Sequence, residues 1–435
     1  DPVQYGSLKV IKTAEDGILA GHKFRFYGTS DLGEKIDITR KNNKNGIALF
    51  EKVYTGNYVV EEIETGIQYV VPPAQNVNIV WNETSEANFN NLLTRGSVIG
   101  HKIDRETKAA IKGAVFGLFK ADETTFTKET ALQTDKSDSK GEFRFNELKK
   151  GNYLIKELEP ASGYLPNNEI YAVKINGGNE VVEITVENDK IPEIATSALV
   201  NENKDAFSSE TITLKDTVSY KHLIPGKEYV VKGALMDKKT GAAFKVNGKP
   251  VAAEATIKPK TANGSTAVSF KIPANSITEN TDLVVFEELY KDGNQVARHA
   301  DLKDKNQTVT IHAPKSRTVA TINGEKDIFS KEAFTIKDLI SYSDLVPGRE
   351  YTAKGVLMNK ATNSPLLING KEVRSDVTFT PKTADGEITV SFKIAANAIT
   401  AKTDIVVFEE LYFGSVQIAN HKDINDKNQT VTVHT

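Results

Sequence analysis

The chain has 435 residues, 39% of them hydrophobic, with a net charge of −3 and no cysteine. That length fits about four domains of roughly 100 residues better than one large globule, and the modest apolar content fits several small cores. Mixed, near-neutral charge argues against nucleic acid and an electrostatic membrane partner, no apolar run is long enough to span a bilayer, and the lack of thiols excludes thiol catalysis, thiolate metal sites and an internal thioester.

Small secreted domains commonly lean on disulfides, and a cytosolic chain of this length commonly carries a few thiols. Complete absence of cysteine therefore points to an extracellular protein from an organism that does not rely on disulfides. The chain opens without a signal peptide and closes at Thr435 within what reads as a strand, so it reads as a segment of a longer protein.

Two kinds of repeat organise the sequence. In the first half, GSLKVIK at Gly6 to Lys12 matches GSVIGHK at Gly96 to Lys102, and TGNYVVEE ending at Glu62 matches KGNYLIKE ending at Glu157. These place domains at 1–93 and 94–190. In the second half, residues 260–290 recur as residues 382–412, an offset of 122 residues (260 to 382). LIPGKEYVVKGALM from Leu223 recurs from Leu345, and DLKDKNQTVTIH from Asp301 recurs from Asp423. These place domains at 191–313 and 314–435, the boundaries near 190 and 313 being marked by the short Pro-containing linkers IPEI and APKS.

Runs rich in Val, Ile, Thr and Tyr, punctuated by Gly, Asn, Asp and Pro, read as strands throughout. Helix-like stretches are confined to Ala274–Ile277 and the KDTVSY and KDLISY segments. The expectation is an all-β chain of four tandem Ig-like or prealbumin-like sandwiches, in series as an elongated rod.

Strand alternation separates inward from outward positions. In the first domain it groups Leu8, Val10 and Lys12; then Tyr58, Val60 and Glu62; then Ala87, Phe89 and Asn91. In the second it groups Val98, Gly100 and Lys102; then Tyr153, Ile155 and Glu157; then Ile184, Val186 and Asn188. Each domain thus aims one lysine, one glutamate and one asparagine at its core. Burial lowers the lysine pKa and raises the glutamate pKa. A neutral amine can then attack the carboxamide while the protonated acid holds the carbonyl, and ammonia leaves. At the K, YxxxE and terminal-N pattern, residues 6–190 resemble the collagen-adhesin B-type (prealbumin-like) domains of Gram-positive surface proteins and pilins. The resemblance implies isopeptide bonds Lys12–Asn91, assisted by Glu62, and Lys102–Asn188, assisted by Glu157. Lys9, Glu61 and Asn90 are neighbouring rivals on the opposite face.

In the second half, Gln307, Val309 and Ile311 share a face, as do Gln429, Val431 and Val433. Thr196 lies between Ile194 and Ala198 on an inward row and recurs as Thr318. His299 and His421 each precede a glutamine by the same interval, and Asp216, Asp338, Glu287 and Glu409 recur at the same offset. These residues suggest attack of a threonine hydroxyl on a glutamine carboxamide, with a histidine and an acid relaying the proton. The motifs VVFEELY, YxxLxPGxxY and DxxDxNQTV closely resemble the VaFE repeat domains of Gram-positive surface proteins. The resemblance implies esters Thr196–Gln307, helped by His299, Asp216 and Glu287, and Thr318–Gln429, helped by His421, Asp338 and Glu409. Ser197 and Thr321 are rival nucleophiles, and Glu288 and Glu410 rival acids. His312 and His434 face outward, and the His and Asp spacing gives no metal-ligand set. The NxS/T triplets at Asn82, Asn263, Asn306 and Asn428 are weak signals.

The expected function is a mechanically robust stalk of a cell-wall-anchored bacterial surface adhesin, working as a monomer without a cofactor. Its crosslinking is a single event per bond, not enzymatic turnover. Contact with a host matrix protein or glycan is expected through a head domain outside this segment, and with peptidoglycan through an anchor outside it. A binding module is the alternative class, but no loop insertion or aromatic platform supports it, and the single tryptophan is Trp81. A pilin subunit is a variant of the stalk reading.

Overall fold

The computed structural model describes residues 3–435, and the chain divides into two compact units, Asp1–Ile191 and Pro192–Thr435. Every regular element among the described residues is a strand. The helix-like expectation for KDTVSY and KDLISY is corrected: these segments lie inside strands Ile212–Lys221 and Phe334–Ser343, alternately buried and exposed. Residues 274–277 form a turn and irregular backbone. Period-two alternation and β-branched side chains on a half-buried surface outweigh the local helix propensity.

In the first unit, the opening sandwich sets a three-stranded sheet (Ile47–Tyr54, Tyr5–Ala14, Thr84–Asn91) against a four-stranded one (Lys35–Lys41, Lys23–Ser30, Gly56–Ile63, Gln75–Ile79). The next sandwich repeats this plan. Its smaller sheet runs Glu142–Leu148, Gly96–Asp104, Val181–Asn188. In both, the first and last strands are parallel neighbours, with Lys12 opposite Phe89 and Lys102 opposite Val186. Leu8, Val10, Phe24, Phe26, Phe50 and Phe89 fill the first core.

Gly100 shows how closely the second core is fitted. A Cβ there would stand 1.9 Å from Phe143 Cζ. The missing side chain lets Phe143 stack on Phe116 at 3.7 Å, and Phe116 in turn lies beneath the Lys102 amine.

The second unit holds two larger sandwiches. One pairs the sheet Glu193–Val200, Ile212–Lys221, Gly264–Ile272 with a six-stranded sheet that contains Thr281–Lys291 and Thr308–His312. The other pairs Lys315–Ile322, Phe334–Ser343, Gly386–Ile394 with a seven-stranded sheet that contains Thr403–Phe413 and Thr430–His434. Here the first strand and the last lie in different sheets. Phe207 of the earlier sandwich packs in the core of the later one, 5.3 Å from the Phe413 ring, beside an Asp205–Arg349 ion pair of 2.6 Å.

Candidate crosslinking sites

In the first two domains the alternation of two parallel neighbours delivers a lysine and an asparagine to the same inward face. Lys12 is 1% exposed and Lys102 0%; Asn91 and Asn188 are equally buried. The acid comes from the opposite sheet, Glu62 on Gly56–Ile63 and Glu157 on Gly151–Glu159. Burial lowers the proton affinity of both lysines, while Glu62 and Glu157 pull the other way. In the second domain Lys102 Nζ lies 2.9 Å from Glu157 Oε2, and Asn188 Nδ2 donates to both Glu157 oxygens at 3.0 Å. In the first, Asn91 Nδ2 donates to Glu62 Oε1 at 2.8 Å, and Lys12 Nζ donates to the Thr13 carbonyl.

One expectation differs from this geometry. The acid faces the amide nitrogen, whereas sequence reasoning placed it on the carbonyl, and Asn91 Oδ1 and Asn188 Oδ1 have no partner. Carboxyl oxygens accept hydrogen bonds, and the amide turns its donor toward them. The rivals stand elsewhere. Lys9 pairs with Glu86 at the surface, Asn90 accepts from Thr13 Oγ1, and Glu61 reaches Arg25.

His22, absent from the sequence reasoning, touches the first site. Its Nδ1 is 2.8 Å from Glu62 Oε1, and its Nε2 is 3.3 Å from the Ile18 carbonyl. Phe24 is opposite Glu62 and Phe116 opposite Glu157, so Ala114 takes the corresponding place in the second domain. A lone histidine just ahead of a strand, without a counterpart in the repeat, gave no signal.

In the third domain Gln307 Nε2 donates to Thr196 Oγ1 at 2.7 Å and lies 3.4 Å from Glu287 Oε2. Gln307, Asp216 and Glu287 are all fully buried. Asp216 and Glu287 act on each other as buried neighbours. Burial, reinforced by that contact, pushes Glu287 up to about 10, and burial also raises Asp216. Two carboxyls in contact without water hold a proton between them. Gly233 gives them space: a Cβ there would stand 3.3 Å from Glu287 Oε1 and 2.6 Å from Phe270 Cζ.

The fourth domain shows a complementary view. Thr318 Oγ1 lies 3.4 Å from His421 Nδ1, and Gln429 Nε2 donates to Glu409 Oε2 at 3.0 Å and to the Val407 and His421 carbonyls. Burial pushes Asp338 up to about 7. The carbonyl oxygens Gln307 Oε1 and Gln429 Oε1 are buried without a partner.

The histidines are paired with acids that sequence reasoning did not single out. His299 Nε2 is 3.1 Å from Asp304 Oδ2, and His421 Nε2 is 3.1 Å from Asp426 Oδ2. Both aspartates stand in the quoted DxxDxNQTV motif, which was the available signal. Ser197 points outward and Thr321 is on the face opposite Thr318. Glu288 accepts from Tyr290 Oη at 2.7 Å, and Glu410 pairs with Lys422 and Tyr412 on the outer face. Among the described residues, no group of His, Cys, Asp and Glu could hold a metal ion, and no helix is long and apolar enough to cross a membrane.

A family model for a T-Q ester bond containing domain matches residues 192–311 and 314–433. The chain belongs to the T-Q ester bond domain family. A second model, for a prealbumin-like fold domain, matches residues 6–92 and 96–190, so prealbumin-like domains precede the two T-Q ester bond domains. Similar solved structures include the Bacillus anthracis TIE protein, at 18% identity over 69% of this chain and 48% of that one, with a TM-score of 0.38. A Mobiluncus mulieris adhesin described as containing intramolecular disulfide, isopeptide and ester bond cross-links is 17% identical over 51% of this chain and 81% of that one, with a TM-score of 0.27. BcpA, the major pilin subunit of Bacillus cereus, is 17% identical over 78% and 94%, with a TM-score of 0.33. The chain therefore spans about half the length (48%) of the Bacillus anthracis protein. No curated protein matches it.

Proposed function

We propose that this chain is a stalk segment of a bacterial cell-surface adhesin or pilin, held by two self-formed Lys–Asn isopeptide bonds and two self-formed Thr–Gln esters. The observation that carries this reading is the contact of Thr196 Oγ1 with the Gln307 carboxamide, in a site without solvent access and beside two protonatable carboxyls.

For the amides, Lys102 passes a proton to Glu157 and its neutral amine attacks Asn188 Cγ. The acid, already on Nδ2, returns the proton to the leaving nitrogen. The Lys–Asn amide forms, the Cγ–Nδ2 bond breaks and ammonia departs. Lys12, Glu62 and Asn91 do the same in the first domain. For the esters, His421 takes the Thr318 hydroxyl proton, with Asp426 orienting the ring, and Oγ1 attacks Gln429 Cδ. The buried acid beside Nε2 protonates the leaving nitrogen, the Cδ–Nε2 bond breaks and ammonia departs. The third domain uses His299, Asp304, Asp216 and Glu287 in the same way. Each reaction happens once, so the chain matures itself and turns over no substrate.

A covalent tie between the first and last strands closes nearly the whole domain and lets pulling force bypass the sheets between them. Such domains suit a thin extracellular stalk, anchored to the wall and carrying its ligand-binding part elsewhere in the protein. Intact mass tests the proposal: the purified chain is four ammonias lighter than its sequence. A mass equal to the sequence value overturns all four bonds.

A further inference from the structure

In the prealbumin-like domains the two bonding strands are hydrogen-bonded neighbours, paired from Ser7 to Ala14 and from Ser97 to Asp104. That ladder alone sets the distance from lysine to asparagine. In the T-Q domains it is missing, because the threonine strand belongs to the three-stranded sheet and the strand after the glutamine to the larger one. Something else must hold the reacting groups in register.

A lysine occupies that place in both domains. Lys204 Nζ donates to the Ala198 carbonyl at 2.7 Å and to the Asn306 carbonyl at 2.6 Å. Lys326 Nζ donates to Ala320 at 2.6 Å and to Asn428 at 2.7 Å. Each alanine lies two residues beyond the nucleophilic threonine, and each asparagine directly precedes the glutamine. The same asparagine carbonyls also accept from Ala198 N and Ala320 N, both at 2.9 Å. Each lysine is itself fixed to the last strand, since Thr310 N donates to the Lys204 carbonyl and Thr432 N to the Lys326 carbonyl.

We propose that Lys204 and Lys326 are positioning residues for ester formation, each clamping the threonine strand to the segment that bears the glutamine. This rests on the ester reading above. The ammonium carries several donors and can satisfy two carbonyls at once, one on the threonine strand and one on the loop that bears the glutamine, whereas a single backbone hydrogen bond leaves the two segments free to pivot. Attack requires the oxygen and the carboxamide carbon in near contact, and a shift of about 1 Å can cost a hundredfold in rate. Both lysines are solvent-accessible, so replacing them removes the clamp without opening the core.

The test uses the full chain with Thr318→Ala, so that the third domain forms the only ester. Ammonia loss is followed by intact mass during cell-free synthesis, with the two isopeptide losses as internal controls. Lys204→Met slows the ester loss about tenfold or more and leaves the isopeptide losses unchanged. Lys204→Arg, which keeps divergent donors, restores most of the rate; a merely space-filling role would be met by Met as well as by Arg. Ester loss at the parent rate in Lys204→Met overturns the proposal. So does a failure of Lys204→Arg to exceed Lys204→Met, which also decides the case if the Met variant folds poorly. If the Thr318→Ala parent itself forms no ester, the reading of the T-Q sites fails instead, and the result is distinguishable because no lysine variant is involved.

Discussion

Thr196 Oγ1 and Gln307 Nε2 stand 2.7 Å apart although 111 positions of chain separate them. The corresponding hydroxyl in the fourth domain, Thr318, faces His421 instead. The two domains share one constellation and display its two contacts separately, hydroxyl to carboxamide in one and hydroxyl to base in the other. A histidine oriented by an aspartate, next to a hydroxyl aimed at an acyl group, is the arrangement of nucleophilic acyl transfer.

The two chemistries separate under a strong nucleophile. Denaturing hydroxylamine cleaves esters and spares amides. Peptide mapping after such treatment is expected to show the Thr196–Gln307 and Thr318–Gln429 links gone and the Lys12–Asn91 and Lys102–Asn188 links intact. Survival of the T-Q links would rule out esters.

Removing one bond affects one domain. Thr196→Ala, Thr318→Ala and Lys102→Ala are each expected to restore one ammonia of mass. Loss of a closed loop of this size lowers the stability of that domain by about 4–5 kcal/mol in the loop-entropy model. Distant sites act additively, so calorimetry of Thr196→Ala should show one transition shifted and the isopeptide domains unmoved. A mass deficit that survives Thr196→Ala but vanishes in Ser197→Ala would move the nucleophile to the outward face.

His22 distinguishes the first isopeptide site from the second. Both of its ring nitrogens have polar partners, Glu62 Oε1 and the Ile18 carbonyl, so the ring is held against the acid of the site. His22→Phe is expected to delay the first ammonia loss in a mass time course and leave the second unchanged, because Ala114 stands at that place in the second domain. Equal timing of the two losses would remove His22 from the reaction.

The unreacted fourth domain has a predictable pH response. Asp338 has its pKa raised by burial to about 7, against about 4 in an unfolded chain. The folded state therefore holds this proton more tightly. The stabilisation is fully present below about pH 4 and is lost as pH rises through about 7. In Thr318→Ala, the melting temperature of this domain should fall between about pH 5 and pH 8, and Thr318→Ala with Asp338→Asn should flatten that slope. An unchanged slope in the double variant would assign the response to other groups.

Much of this was legible because strands write their inward face at every second residue. Lys12, Glu62 and Asn91 stand on rows with Val10, Val60 and Phe89, so alternation alone chose them over Lys9, Glu61 and Asn90. The same rule separates Thr196 from Ser197. Alternation could not decide between Glu287 and Glu288, because both faces of VVFEELY bear apolar residues; the fold does, burying Glu287 beside Gln307 and pairing Glu288 with Tyr290 on the outside. Loops have no such period. Asp304 and Asp426 were visible as motif letters, yet nothing in their spacing said that they meet His299 and His421. Lys204 and Lys326 repeat at the same offset, but a lysine in a turn normally signals solvent, and its two carbonyl acceptors come from the fold. KDTVSY read as helical from its local propensity, although its residues alternate between the exposed and buried faces of a strand, Lys215 outward and Asp216 inward.

In each of the four domains the proposed nucleophile stands on the first strand and the carboxamide proposed as its partner at or beside the last. A chain emerging with its N-terminus first, whether from a ribosome or a secretion pore, therefore presents the attacking group long before the group it attacks. No bond can close on a half-delivered domain, and none can lock a misthreaded intermediate across the exit. Under the chemistry proposed above, ammonia release becomes a receipt for complete delivery, issued domain by domain in the order of synthesis.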